Sequence, residues 1–171
     1  FVILDGCNIN YNGHYGIICG ADDNTTLISG TLAQSAIRNC MIFNDIGLYR
    51  VADMTIELNS FETKTIDGGA GCIVPLGELK STSVTIRQNS FIDDGAKTET
   101  RAAITTSSYA GTVSLSPGAG WVIEANLMRD RLTGVDVRGG VRISANVFMQ
   151  RSTPVGNVGI RIDSSASGAN A

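Results

Sequence analysis

A recurring segment of eight residues constrains the fold of this chain more than any other feature. It has the pattern apolar-x-Ile-x-x-Asn-x-large apolar, and clear copies occupy 54–61, 84–91, 121–128 and 141–148. Two weaker copies, within 37–42 and 4–9, keep the apolar positions but have Cys where Asn stands later. A unit this short cannot bury its own apolar face, so its copies must stack on one another.

A second short apolar segment follows each copy. These segments are 16–18, 47–49, 71–73, 103–105, 134–136 and 159–161. The anchor residues Ile37, Ile56, Ile86, Ile123 and Ile143 are separated by 19, 30, 37 and 20 residues, so the strands recur while the connecting loops vary in length. A solenoid tolerates such variation because each coil contacts only its neighbours. We therefore predict an all-β, single-stranded, right-handed parallel β-helix of about six coils. We expect it to form one domain over residues 1–171 and to be part of a longer protein.

If the coils stack, equivalent positions of successive coils should form columns of side chains with related character. One inward column should be aliphatic and a second large and apolar, with an Asn ladder between them at a corner, where Asn tolerates left-handed backbone geometry. An outward column of alternating charge should stabilise the same register through cross-strand pairs. The aliphatic column contains Ile56, Ile86, Ile123 and Ile143, and the large apolar column contains Ile9, Ile42, Phe61, Phe91, Met128 and Phe148. The Asn ladder contains Asn59, Asn89, Asn126 and Asn146, and the outward column contains Asp5, Arg38, Glu57, Arg87, Glu124 and Ser144.

The composition narrows the classes of function. The 171 residues include 17% charged residues and carry a net charge of -3, and no dense basic run is present, so we expect no nucleic-acid partner. Apolar stretches are only a few residues long, which argues against membrane insertion. The four cysteines form no CxxC pair, so we predict free buried thiols, no metal site and no cofactor.

The Ile-x-x-Asn-x-Phe unit and the Gly-Ile strand that follows it resemble the parallel β-helix repeat of the pectate-lyase-like superfamily. The resemblance covers about residues 4–162. Within that superfamily, bacteriophage tailspikes are most similar, because they share irregular coil lengths and polar Ser/Thr/Gly-rich connectors such as 105–120. The resemblance implies a homotrimer in the virion tail or outside the cell. It also implies other virion tail proteins as partners, and bacterial surface polysaccharide as the molecule bound or depolymerised.

Two alternatives remain open because one scaffold hosts many activities. In the first alternative, the chain is a free-standing polysaccharide lyase, hydrolase or epimerase. In the second it is a structural spacer in a virion or adhesin. Whether the chain is an enzyme is therefore undecided by the sequence.

Carboxylates between the strands are the candidates for catalysis, because glycosidases need two carboxyl groups and lyases need a base. The loop 92–101 contains three acids and two bases, and 129–131 of the next coil should lie beside it. We take Asp94, Asp130 and Asp136 as weak catalytic candidates. The structural alternatives are that Asp94 belongs to an Asp-Gly turn and that Asp136 forms an ion pair with Arg161 on the next coil.

Tyr49 and Arg161 are the candidates for carbohydrate binding. Tyr49 aligns in sequence with an outward column, whereas Trp121 aligns with inward apolar positions and should belong to the core. The outward column contains Ile18, Val74, Thr105, Asp136 and Arg161. His14 is the single histidine, and no nucleophile-elbow motif accompanies it.

Overall fold

The computed structural model is a parallel β-helix of about six coils. It describes residues 1–9, 15–20, 32–49, 51–62, 72–75, 81–93, 102–106, 120–131, 133–137, 140–149 and 158–162. Along these parts of the chain we find no helix with the length and apolar character needed to cross a lipid bilayer.

Three parallel sheets form the sides of the helix, and each coil contributes a strand to every sheet. The first sheet has the order β1 (Ile3–Asp5), β5 (Ala36–Arg38), β8 (Val51–Glu57), β11 (Thr82–Arg87), β14 (Trp121–Glu124) and β17 (Val141–Ser144), with β4 (Leu32–Ala33) also pairing with β8. The second contains β2 (Asn8–Ile9), β6 (Met41–Ile42), β9 (Ser60–Glu62), β12 (Ser90–Ile92), β15 (Leu127–Arg129) and β18 (Val147–Met149). The third contains β3 (Tyr15–Cys19), β7 (Asp45–Leu48), β10 (Ile73–Pro75), β13 (Ile104–Thr105), β16 (Thr133–Val137) and β19 (Val158–Ile162).

The strand register confirms the two predicted apolar columns. Ile86 pairs with Ile56 on one side and with Ile123 on the other, and Ile123 pairs with Ile143. In the second column, the rings of Phe61 and Phe91 stack with centroids 4.5 Å apart and an interplanar angle of 11°. The interior columns are therefore continuous from coil to coil, and their burial supplies the main favourable term in folding.

Trp121 belongs to the core, as the sequence predicts. It pairs with Val141, is 1% exposed, and donates its indole N–H to the carbonyl oxygen of Ser81 at 2.8 Å. The buried N–H thereby has the partner that a buried tryptophan requires.

The predicted Asn ladder runs along the corner between the first and second sheets. From Asn89 onwards, each side-chain oxygen accepts from the backbone N–H and the side-chain amide of the Asn one coil earlier, as Asn126 does from Asn89 at 3.0 Å. The amide also donates to a backbone carbonyl, which for Asn89 is that of Ile56 at 2.9 Å. These bonds satisfy buried polar groups that no strand pairing reaches.

The left-handed residue at this corner precedes the Asn, which corrects the expectation that the Asn itself adopts that conformation. Positive φ angles occur at Leu58 (58°), Gln88 (55°), Ala125 (54°) and Ala145 (53°). The chain therefore bends one residue before the ladder, and the side chains of Asn59, Asn89 and Asn126 are buried. The ladder's hydrogen bonds fix the corner although these residues are not the glycines that left-handed geometry favours.

The predicted outward charge column is present on the first sheet. Arg38 contacts Asp5 at 2.9 Å and Arg87 contacts Glu57 at 2.7 Å. Glu124 lies in register with Arg87 but pairs instead with Arg142 at 3.1 Å. Because the arginines are 42% to 69% exposed, each pair contributes no more than about 1 kcal/mol.

All four cysteines are free, as predicted, but they are not all buried. Cys19, Cys40 and Cys72 are buried, whereas Cys7 is partly exposed. Cys7 lies on the first coil, which has a neighbouring coil on one side only within the described residues. Of the four thiols, that of Cys7 is the one with solvent exposure in the structure.

Close packing around Gly134 gives a testable prediction. A Cβ atom at Gly134 would overlap the ring of Phe148 and approach the carbonyl oxygen of Gly159 to 2.6 Å. We expect Gly134→Ala to lower the free energy of unfolding by about 2 kcal/mol, because the backbone oxygen cannot move aside.

Gly159→Ala is the matched control for this substitution. Gly159 occupies the next rung beside Gly134, but a Cβ there would meet only the ring of Phe148, at a tight 3.3 Å that a shift of the ring by a few tenths of an ångström relieves. In urea denaturation, Gly159→Ala should cost less than half as much as Gly134→Ala. Equal losses would contradict the packing described here.

Candidate functional site

The outer face of the third sheet carries the candidate site. Its outward column comprises Ile18, Gly47, Val74, Thr105, Asp136 and Arg161. Apolar residues form the first half of this column and polar residues the second half. The polar half lies on β13, β16 and β19, which are consecutive strands of one sheet.

The predicted alignment of Tyr49 with this column is wrong by two residues. Gly47 occupies the position, because Ile46 pairs with Ile17 and Gly47 with Ile18. Tyr49 follows the end of β7 and donates its backbone N–H to Cys19 at 2.7 Å. Its side chain therefore approaches the outer face from the turn after the strand.

Tyr49 and Tyr15 cover part of this outer face. Both side chains are half-buried and pack against Cys72 and Val74, which are 0% and 2% exposed. The covered half of the face is thus a small second apolar cluster outside the main core. The two tyrosines keep part of their surface in solvent, and they lie on the same face as Asp136.

Asp136 and Arg161 form an ion pair on adjacent coils, which is the predicted alternative to a catalytic role for Asp136. Arg161 Nη1 lies 3.8 Å from Asp136 Oδ2, and the side chains are 55% and 23% exposed. At this distance the contact is an ion pair longer than a hydrogen bond. Thr105, which is half-buried, lies in register beside Asp136.

Asp130 lies at the corner after β15, away from the outward column. It has a positive φ of 61°, and its backbone N–H donates to Met149 at 2.9 Å. Because Ile92 pairs with Arg129, Asp130 stands one rung from Asp93, about 4.8 Å along the axis. The structure therefore confirms that the two loops begin side by side. Asp94 lies outside the described residues.

The same corner contains buried charged groups that the sequence interpretation missed. Asp93 is 3% exposed and Arg131 is 5% exposed, and Arg131 Nη1 approaches the sulfur of Cys72 to 3.8 Å. On the second coil, Asp45 is fully buried and accepts from the backbone N–H of Cys72 at 3.0 Å. The segment 129–131 contains two arginines and an aspartate, which is typical of an exposed loop, so its composition gave no signal of burial.

The described parts of the chain contain no group of three or more His, Cys, Asp or Glu residues that could hold a metal ion. His14 and the remaining acids and bases of loop 92–101 lie outside the described residues.

The fold and this surface define the chain as a parallel β-helix protein with a polar lateral face. Comparisons with protein-family models, with curated proteins and with solved structures found no match.

Proposed function

We propose that this chain is a β-helical segment of a bacteriophage tailspike or tail fibre, and that its lateral surface binds bacterial surface polysaccharide. The observation that carries the proposal is the polar half-column of Thr105, Asp136 and Arg161 on the outer face of a six-coil β-helix. Their backbones are spaced by one rung, about 4.8 Å. Such a row offers hydroxyl, acceptor and donor groups in line, which suits an extended polymer of hydroxyl-bearing sugars.

The tyrosines on the same face extend the proposed binding surface. Tyr49 belongs to the second coil and Asp136 to the fifth, so they are separated by three rungs, roughly 14 Å along the axis. Aromatic rings offer apolar surface to the C–H face of a sugar and a hydroxyl group to its rim. We place the polysaccharide along the helix axis, in contact with rings at one end and with charged groups at the other.

The resemblance to tailspikes extends the proposal to assembly. It implies a homotrimer attached to other virion tail proteins, outside the bacterial cell. Light scattering of the intact protein should give a mass close to three times that of one chain. A stable monomer would contradict this part of the proposal and favour a free-standing enzyme.

A binding experiment with paired variants tests the proposed surface. The protein is applied to immobilised capsular and lipopolysaccharide glycans from a panel of bacteria, and the dissociation constant is measured for any glycan retained. We expect Arg161→Gln and Asp136→Asn each to weaken binding about tenfold, the usual consequence of losing one charge-assisted hydrogen bond.

Arg142→Gln is the matched control for the binding experiment. Arg142 is also exposed and also pairs with an acid one coil away, but it lies on the first sheet. Its loss should change the dissociation constant less than twofold. If no glycan is retained by the folded protein, or if both arginines matter equally, the proposed surface is wrong.

The neighbouring acids Asp93 and Asp130 favour depolymerisation as a second activity of the same protein. The pairing of Ile92 with Arg129 places the backbones of these two acids on adjacent rungs, and acid–base cleavage of a glycosidic bond requires two carboxyl groups close together. We expect Asp130→Asn to abolish release of reducing ends from the glycan that is bound, without weakening binding. Reducing-end release unchanged by Asp94→Asn, Asp130→Asn and Asp136→Asn would exclude the three candidates.

A further inference from the structure

The Asn ladder ends at two cysteines, one on each of the first two coils. Asn59 Oδ1 accepts from the backbone N–H of Cys40 at 2.9 Å, so Cys40 occupies the next ladder position. Cys7 follows one coil earlier, and its backbone N–H donates to Cys40 Sγ at 3.4 Å. The two thiols therefore take the places that two asparagines fill in the later coils.

The register brings the two cysteines to disulfide-forming distance. Asp5 pairs with Arg38 and Asn8 with Met41, so Cys7 and Cys40, which lie between these strands, face each other at the corner of neighbouring coils. In-register neighbours in a sheet are about 4.8 Å apart, which lies within the range of Cα separations found in disulfides. Both side chains point the same way from the corner, because each sulfur approaches the carbonyl oxygen two residues before it: Cys7 Sγ that of Asp5 at 3.7 Å and Cys40 Sγ that of Arg38 at 3.1 Å.

The surroundings give the two thiols different roles. Cys7 is partly exposed, whereas Cys40 is 2% exposed with its thiol directed at the carbonyl oxygen of Arg38, 3.1 Å away. Burial raises the pKa of Cys40. Cys7 is therefore the thiol that meets a reagent from solvent, and Cys40 is the thiol that acts after it.

We propose that Cys7 and Cys40 are a redox modification site, at which a small disulfide such as oxidised glutathione forms an intramolecular disulfide between the first and second coils. The Cys7 thiolate attacks one sulfur of the small disulfide, which forms a mixed disulfide and expels one small thiolate. Cys40 loses its proton to solvent and attacks the Cys7 sulfur, expelling the second. Two protein thiols are thus oxidised, and one small disulfide is reduced to two thiols.

The bond would replace the ladder contacts that the first coil lacks. From Asn59 onwards, side-chain amides bond consecutive coils, as between Asn59 and Asn89 at 3.0 Å. Between the first and second coils the only ladder contact among the described residues is the weak N–H···S bond of Cys7. A disulfide links the first described coil covalently to the second, in the oxidising surroundings that the proposed location outside the cell supplies.

The test treats the folded protein with oxidised glutathione at pH 8 and identifies the products by intact mass and peptide mapping. We expect a loss of about 2 Da from the two hydrogens removed, and a single cross-link joining the peptides that contain Cys7 and Cys40. Amide exchange in β1 and β2 should slow by about tenfold after oxidation, because the coil that contains these strands no longer opens apart from the second coil.

Variants separate this site from general thiol reactivity. Cys40→Ser should stop the reaction at one glutathione on Cys7. Cys19→Ser is the matched control at a cysteine whose pKa burial raises to about 11, and it should leave the cross-link intact. The same protein oxidised in guanidinium chloride should give mixed pairings.

Three outcomes would overturn the proposal. They are four unmodified thiols in the folded wild-type protein, a glutathione that persists on Cys7, or a cross-link that involves Cys19 or Cys72. None of these outcomes bears on glycan binding, because the cysteines lie at the ladder corner and the proposed glycan surface lies on the third sheet.

Discussion

Asn89→Ala is expected to lower the free energy of unfolding by about 4 kcal/mol, among the largest effects of any single substitution in this chain. The side chain of Asn89 accepts from the backbone N–H and the amide of Asn59, both at 3.0 Å, and donates to Ile56 and Asn126. Alanine removes the hydrogen-bond partner of the buried backbone N–H of Asn59 and of the buried carbonyl oxygen of Ile56. Each such group costs about 1–3 kcal/mol. Urea denaturation followed by circular dichroism measures the loss.

The control is Asn8→Ala. Asn8 lies on the outer face of β2 and is exposed, so its substitution should change stability by less than about 0.5 kcal/mol. If the two substitutions have similar effects, the ladder does not hold the coils together as described.

Phe91→Ala is expected to cost about 4 kcal/mol, the usual result of removing a fully buried phenylalanine. Phe91 is 0% exposed, stacks on Phe61, and lies between that ring and Met128 in the inward column. The coils on either side are held by their own strands and cannot close the space. The loss therefore includes a cavity as well as the lost apolar contact.

Phe148→Ala provides a matched comparison, because Phe148 belongs to the same column on the last coil. Its side chain is 37% exposed, against 0% for Phe91. We expect it to cost less than half as much as Phe91→Ala, measured in the same denaturant. Equal costs would mean that burial does not increase towards the middle of the stack.

The inward columns and the Asn ladder were predictable because every coil repeats them. A slip of one residue would move Ile86 and Phe91 together to the outside, so only one face assignment satisfies the pattern. The alternating charges of Arg38 and Glu57 agreed with that register independently. The fold therefore followed from side chains that each coil repeats.

The error at Tyr49 arose because period-two patterns cannot detect a shift of two residues. Ile46 and Leu48 are both apolar and both 0% exposed, so either one fits the inward position opposite Ile17. The strand pairing chooses Ile46, which places Gly47 in the outward column and moves Tyr49 beyond the strand. A surface prediction that rests on one such alignment has no second pattern to correct it.

The buried charges and the corner geometry could not be predicted from the sequence, for a different reason. Asp45 and Arg131 are buried although neither belongs to the repeated inward columns, and the sequence pattern describes only those columns. The left-handed residues Leu58 and Ala125 are of types that seldom signal a turn. Their conformation is imposed by the ladder beside them, which is a contact between coils.

The contacts among Ile86, Ile123 and Ile143 test the central claim most directly. In methyl-labelled protein, nuclear Overhauser effects between the methyl groups should connect Ile86 with Ile123 and Ile123 with Ile143. No such effect should connect Ile86 with Ile143, which are two rungs and about 10 Å apart. Absence of both neighbour contacts, or a direct contact between the outer two, would contradict the stacked coils on which the proposed function rests.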